Sequence, residues 1–123
     1  MDKKQTLDFS YPKDCRIRKH NIYQLLFRKG RRIALPHFVI YYTLRDDGPS
    51  RLGTTVSRKV GNAVVRNRCK RQLKEFFRSI RHLLNSSMNL SILARPGAAN
   101  LTSLQVRQEL LAGLDGASLV KLP

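Results

Sequence analysis

The chain has 123 residues, 24 of them Lys or Arg against 8 Asp or Glu, and so carries a formal net charge of +16. That length fits one domain with one modest core, and a 41% hydrophobic content excludes a disordered basic tail. No apolar run approaches the roughly 20 residues of a membrane span. The start Met1 to Thr6 leads into no signal-peptide segment, and Cys15 and Cys69 lack Cys-x-x-Cys spacing, which reads as a protein of the reducing cytoplasm.

In chain order, His20 to Lys29 reads as a short helix. Its apolar residues Ile22, Tyr23, Leu25, Leu26 and Phe27 spread over roughly 200° of arc, wider than a core-facing stripe requires, so some of them face something other than the core. Gly30 can end this helix. His37 to Leu44 is rich in β-branched and aromatic residues, Asp46-Asp47-Gly48-Pro49 is turn chemistry, and Arg51 to Ser57 reads as the second strand of a hairpin. Residues 62–84 give the strongest helix, with Asn62 as N-cap. Val65, Cys69, Leu73, Phe76, Phe77, Ile80, Leu83 and Leu84 share one side of it, and its Lys and Arg residues take the other. Met88 to Ala94 gives a third strand, broken by Arg95-Pro96-Gly97. Thr102 and Gln105 have capping-box spacing at the start of a last helix. The order αββαβα predicts a single-domain α/β (α+β) sandwich with a small sheet packed against helices.

The charge is not evenly spread. Residues 1–32 carry ten basic side chains and residues 58–81 carry nine, with Glu75 the sole carboxylate in the second block. Like charges at i,i+3 and i,i+4, such as Lys70 and Arg71 with Lys74, repel by a few tenths of a kcal/mol per pair. A helix that needed only solubility would mix signs at no such cost, so the uniform face argues for a polyanionic partner. Phosphate is the natural counterpart of Arg66, Arg68, Lys70, Arg71, Lys74 and Arg78. Asn67, between two arginines, is suited to a phosphate, a base edge or a 2′-hydroxyl. The junction at Gly61 and Asn62 also offers unpaired backbone N–H groups to an anion.

The stretch Ser57-Arg58-Lys59-Val60-Gly61-Asn62-Ala63-Val64-Val65-Arg66-Asn67-Arg68-Cys69-Lys70-Arg71 resembles the signature of the bacterial ribonuclease P protein component. Arg16-Ile17-Arg18-Lys19 with Tyr23 and Phe27, and Ile92 to Ala98, resemble that family's first helix and third strand. The likeness spans residues 15–114, with Arg58 where lysine is usual and Tyr23 where phenylalanine is common. It implies an RNA-binding subunit of an endoribonuclease whose RNA carries both the Mg²⁺ ions and the hydrolysis that removes the 5′ leader from precursor tRNA, with a lowered Mg²⁺ requirement. Under that resemblance no residue of this chain is catalytic, none binds metal, and no membrane or obligate protein partner is expected. Lys59, Asn62, Arg66, Asn67, Arg68, Lys70, Arg71, Lys74 and Arg78 would meet the catalytic RNA. Arg16, Arg18, Lys19, Tyr23, Phe27, Tyr41 and Tyr42 would line a groove for the leader, where aromatic faces stack on bases of any sequence. Which set of alternating strand residues faces that groove stays open. Residues 1–14 read as a flexible extension, 15–115 as the RNA-binding domain and 116–123 as a tail. A small basic ribosomal protein is the alternative that composition alone permits.

Overall fold

The computed structural model describes residues 28–46 and 48–121. Four strands form one mixed sheet: β1 (Arg31–Ala34), β2 (Phe38–Leu44), β3 (Arg51–Thr55) and β4 (Met88–Ala94). Among the described residues two complete α-helices accompany it, α1 (Ala63–Ile80) and α2 (Ser103–Gly116), with 3₁₀ turns at Arg81–Leu83 and Pro96–Asn100. The expected α+β single-domain class holds. Arg28 and Lys29 are helical, and the rest of the helix expected over 20–29 lies outside the described residues, as does the extension 1–14.

Two features of the strand plan differ from expectation. The sheet order is β1-β2-β4-β3, with β2 antiparallel to β1 and β4, and β3 parallel to β4. The β2–β3 hairpin is therefore not formed, because β4 sits between the two strands. β4 is buried along nearly its whole length and suits the centre, whereas β3 partly exposes polar groups at Arg51, Thr54 and Thr55 and suits an edge. The link from β3 through α1 to β4 is a parallel crossover, which requires a helix-length connection. The turn after β2 is real but leads across the sheet. Arg45 donates through its backbone N–H to Ser87 (2.8 Å) and through its guanidinium to the Pro49 carbonyl.

The second difference is β1, which was not anticipated. It pairs Arg31 with Tyr42, Arg32 with Tyr41, Ile33 with Ile40 and Ala34 with Val39.

One face of the sheet makes the core. Phe38, Ile40 and Tyr42 of β2, Leu52 of β3, and Met88, Leu90, Ile92 and Ala94 of β4 pack with Cys69, Leu73, Phe76, Phe77 and Ile80 of α1 and Val106, Leu110 and Leu114 of α2. Full burial of one such large side chain is worth about 1.5–3 kcal/mol. Cys69 is one of them, a small core residue as its place on the helical wheel indicates. Burial pushes its thiol above the ordinary value, against a smaller opposing pull from the Arg68 guanidinium.

The helix starts form as the sequence spacing predicts. Val65 donates its backbone N–H to Asn62 Oδ1 at 3.0 Å. Thr102 and Gln105 complete a reciprocal box, the Thr102 N–H to Gln105 Oε1 at 2.9 Å and the Gln105 N–H to Thr102 Oγ1 at 3.2 Å. Glycine permits two close approaches. A Cβ on Gly61 would lie 2.7 Å from Val65 Cγ1, and one on Gly113 would lie 2.9 Å from Leu35 Cδ1, where α2 rests on the β1–β2 turn.

The segment read as a tail is tied into the body as far as Lys121. Leu119 and Val120 are buried, Val120 bridges to Leu84, and the Lys121 N–H donates to the Leu83 carbonyl at 2.8 Å.

Candidate nucleic-acid interface

Helix α1 fixes the basic residues because its opposite side is locked into the core. Asn67, Lys70, Arg71, Lys74 and Arg78 follow one another at i,i+3 and i,i+4 along a single outward stripe, about 16 Å long at 1.5 Å per residue. Arg71, Lys74 and Arg78 are exposed, and Lys70 is half-buried along its stem. Arg66 and Arg68 border the stripe on either side. Among the described residues, no ion pair engages Lys59, Arg66, Arg68, Lys70, Arg71, Lys74 or Arg78. Seven cations on one surface without a counter-charge among the described residues favour a partner that supplies the neutralising groups.

Individual members differ in freedom. Arg68 donates from Nη2 to the Ala99 carbonyl at 2.5 Å, which holds its guanidinium beside the Pro96–Asn100 turn and joins that turn to α1. Arg66 is half-buried, and its Nε has no hydrogen-bond partner. Asn62 spends its side-chain oxygen on the cap, so only its amide NH₂ is left for a ligand. Lys59 stands exposed on the turn Ser57–Val60, closed by the Val60 N–H to the Ser57 carbonyl at 3.0 Å. The structure thus brings all nine residues assigned to the catalytic RNA onto one helix and the turn leading into it.

The residues assigned to a groove are less completely placed. Arg16, Arg18, Lys19, Tyr23 and Phe27 lie outside the described residues. Tyr41 and Tyr42, being adjacent in a strand, point to opposite faces. Tyr42 is 8% exposed and belongs to the core, so its assignment to the groove is corrected. Tyr41 lies on the second face, half-buried, among Arg32, Val39, Ser91 and Leu93. That face is polar along β4: Asn89 Oδ1, Ser91 Oγ and, just beyond the strand, Arg95 Nε are buried without a hydrogen-bond partner.

Arg32 is a residue that the sequence reading did not place in a site. The signal was the basic run from Arg28 to Arg32, but it gains meaning only once β1 is seen to set Arg32 beside Tyr41.

A four-stranded mixed sheet with a helix that turns outward a cationic stripe, unpaired among the described residues, defines a small α+β protein suited to a polyanion. The matches to known proteins make this specific. The chain belongs to the Ribonuclease P family, whose model covers residues 11–118. The ribonuclease P protein component of Listeria welshimeri is 37% identical over 111 residues, 89% of this chain and 92% of that protein. The Bacillus cereus counterpart is 36% identical over 100 residues, 80% and 87% of the two chains. Among solved structures, the Staphylococcus aureus RNase P protein superposes with a TM-score of 0.80 at 33% identity, covering 89% of this chain and all of that one. The Thermotoga maritima protein gives 0.72 at 28% identity, covering 79% and 92%. The chain is thus the protein subunit of a ribonuclease P endoribonuclease, a ribonucleoprotein of tRNA processing, and its partner is the RNase P RNA. The ribosomal alternative is set aside. No helix among the described residues is long and apolar enough to cross a membrane.

Proposed function

We propose that the α1 stripe neutralises phosphates of the catalytic RNA, and that the second face of the sheet, with Tyr41, takes the single-stranded 5′ leader of precursor tRNA. The observation that carries the first part is the set of cations from Lys59 to Arg78 that no ion pair engages among the described residues. Compacting an RNA crowds its phosphates. Fixed protein cations supply part of the screening that Mg²⁺ otherwise gives, so the holoenzyme works at lower Mg²⁺.

The leader part is supported by the half-buried Tyr41 beside Arg32 and by the orphaned polar atoms along β4. A base stacked on an aromatic face gains about 1–3 kcal/mol whatever its identity. Among the described residues, no group of three or more His, Cys, Asp or Glu side chains converges. In this reading, as in the family resemblance, the Mg²⁺ ions and the hydrolysis belong to the RNA, and the particle works in the cytoplasm.

Reconstitution tests the proposal. The purified chain is added to bacterial RNase P RNA at a Mg²⁺ concentration where the RNA alone is nearly inactive, and cleavage of precursor tRNA is measured with the protein alone as control. Cleavage by the mixture only is the expected result. Maturation by the protein alone, or no gain over the RNA, overturns the reading.

A further inference from the structure

A cleft of about 430 Å³ opens beside β1 and the C-terminal end of β2, lined by Lys29, Arg31, Tyr42, Thr43, Leu44 and Leu119 among others. A space of that size is in the range of small-ligand sites. Lys29 and Arg31 are exposed, and no ion pair engages either among the described residues. Leu44 is 64% exposed, one of three large apolar side chains left that open among the described residues. The far wall is held in place. Ser118 takes a left-handed backbone, φ 60°, and Asn85 fastens it by donating from Nδ2 to the Ser118 carbonyl at 2.7 Å and from its backbone N–H to the Leu119 carbonyl at 2.9 Å. Cations beside an apolar wall fit a ligand with an anionic part and a flat apolar part. An unpaired nucleotide has both.

The position of the cleft selects which RNA supplies it. β1 is an edge strand of the described sheet, and its consecutive residues Arg31 and Arg32 project to opposite sides. Arg32 stands beside Tyr41 on the second face, and Arg31 stands beside Tyr42 at the cleft. A single strand lying on the second face and running over the β1 edge meets Arg32 and then Arg31 without a gap. Across the sheet, the strand that α1 contacts, β3, lies three strand spacings or about 14 Å from β1. We infer that the Lys29–Arg31–Leu44 cleft holds a nucleotide of the distal 5′ leader, its base against Leu44 and Leu119 and its flanking phosphates on Lys29 and Arg31. This rests on the leader reading of the second face and extends it past the sheet edge.

The test uses the reconstituted holoenzyme and two precursor tRNAs, one with a leader of a few nucleotides and one with a leader several times longer. Binding is measured across a salt series. The Lys29→Ala/Arg31→Ala double variant should weaken the long-leader precursor several-fold and lower its salt slope by about 1.4, two single-strand phosphate contacts at roughly 0.7 each, while leaving the short-leader precursor unchanged. Leu44→Glu, which sets a carboxylate on the rim, should repeat the selective loss. A Tyr41→Ala variant, run in parallel, should weaken both precursors. If Tyr41→Ala acts on both and the cleft variants act on neither, the extension past the edge is wrong and the leader groove stands. If the cleft variants weaken both precursors equally, the cleft does not hold the distal leader and the inference is overturned. No effect from Tyr41→Ala removes the groove on which the inference rests.

Discussion

Arg68 and Arg71 are three residues apart on α1, and their surroundings assign them different work. Arg71 is exposed with no partner among the described residues, whereas Arg68 is bonded to the Ala99 carbonyl. A hydrogen bond from a charged donor at an exposed site adds on the order of 1 kcal/mol to stability. Arg71→Ala should therefore lower the salt slope for the RNase P RNA by about 0.7–0.9 with the melting temperature unchanged. Arg68→Ala should give the same fall in slope and also lower the melting temperature by a few degrees. Salt titration of RNA binding and thermal melting of the free protein separate the two. A wild-type slope for Arg71→Ala would remove Arg71 from the phosphate contacts. The motif shows two similar arginines, and only the tertiary contact with Ala99 tells them apart.

At the scale of elements, the entry into α1 is the point where packing and binding meet. Gly61 lets Val65 fold back over the helix start, and the cap on Asn62 fixes the direction in which the stripe leaves the sheet. A Cβ at Gly61 would lie 2.9 Å from Val65 Cβ, a branch point that cannot rotate away. Gly61→Ala should therefore cost roughly 1–3 kcal/mol by overpacking and weaken RNA binding through the displaced first turn. Adding Val65→Ala should recover most of both losses, measured by denaturant unfolding and RNA titration. An additive double variant would place the cost elsewhere. Helix α1 was legible in the sequence because its faces segregate cleanly: the residues it buries are among those its 3.6-residue period marked. Strand pairing was not. Which strand neighbours which is decided by long-range packing, so the local turn at Asp46 to Pro49 read as a hairpin that β4 in fact interrupts. β1 was missed because an edge strand guarded by Arg31 and Arg32 looks polar locally. The face of Tyr41 depends on that same non-local information.

For the whole molecule, the separation of charge from fold sets how the protein responds to salt. The core lies between one sheet face and the buried sides of two helices, and the α1 cations have no structural counter-charge among the described residues. Added salt screens the partner interaction while removing little that holds the chain together. Seven contacts at 0.7–0.9 each give a slope of about 5–6 in log K against log salt, so raising salt from about 50 to 200 mM should weaken RNA binding at least a thousandfold. Over the same range the melting temperature of the free protein should hold or rise, because screening relieves the self-repulsion of a chain carrying +16. Filter binding of the RNase P RNA and calorimetry of the protein alone give the two curves. A shallow slope would mean that the stripe is largely solvated in the complex. A melting temperature that falls with salt would mean that ion pairs outside the stripe carry the fold. The expected opposition follows from the sequence pattern itself: carboxylates are nearly absent where the basic residues cluster, so the chain's attraction for a polyanion and its own repulsion have one source, and salt acts on both at once.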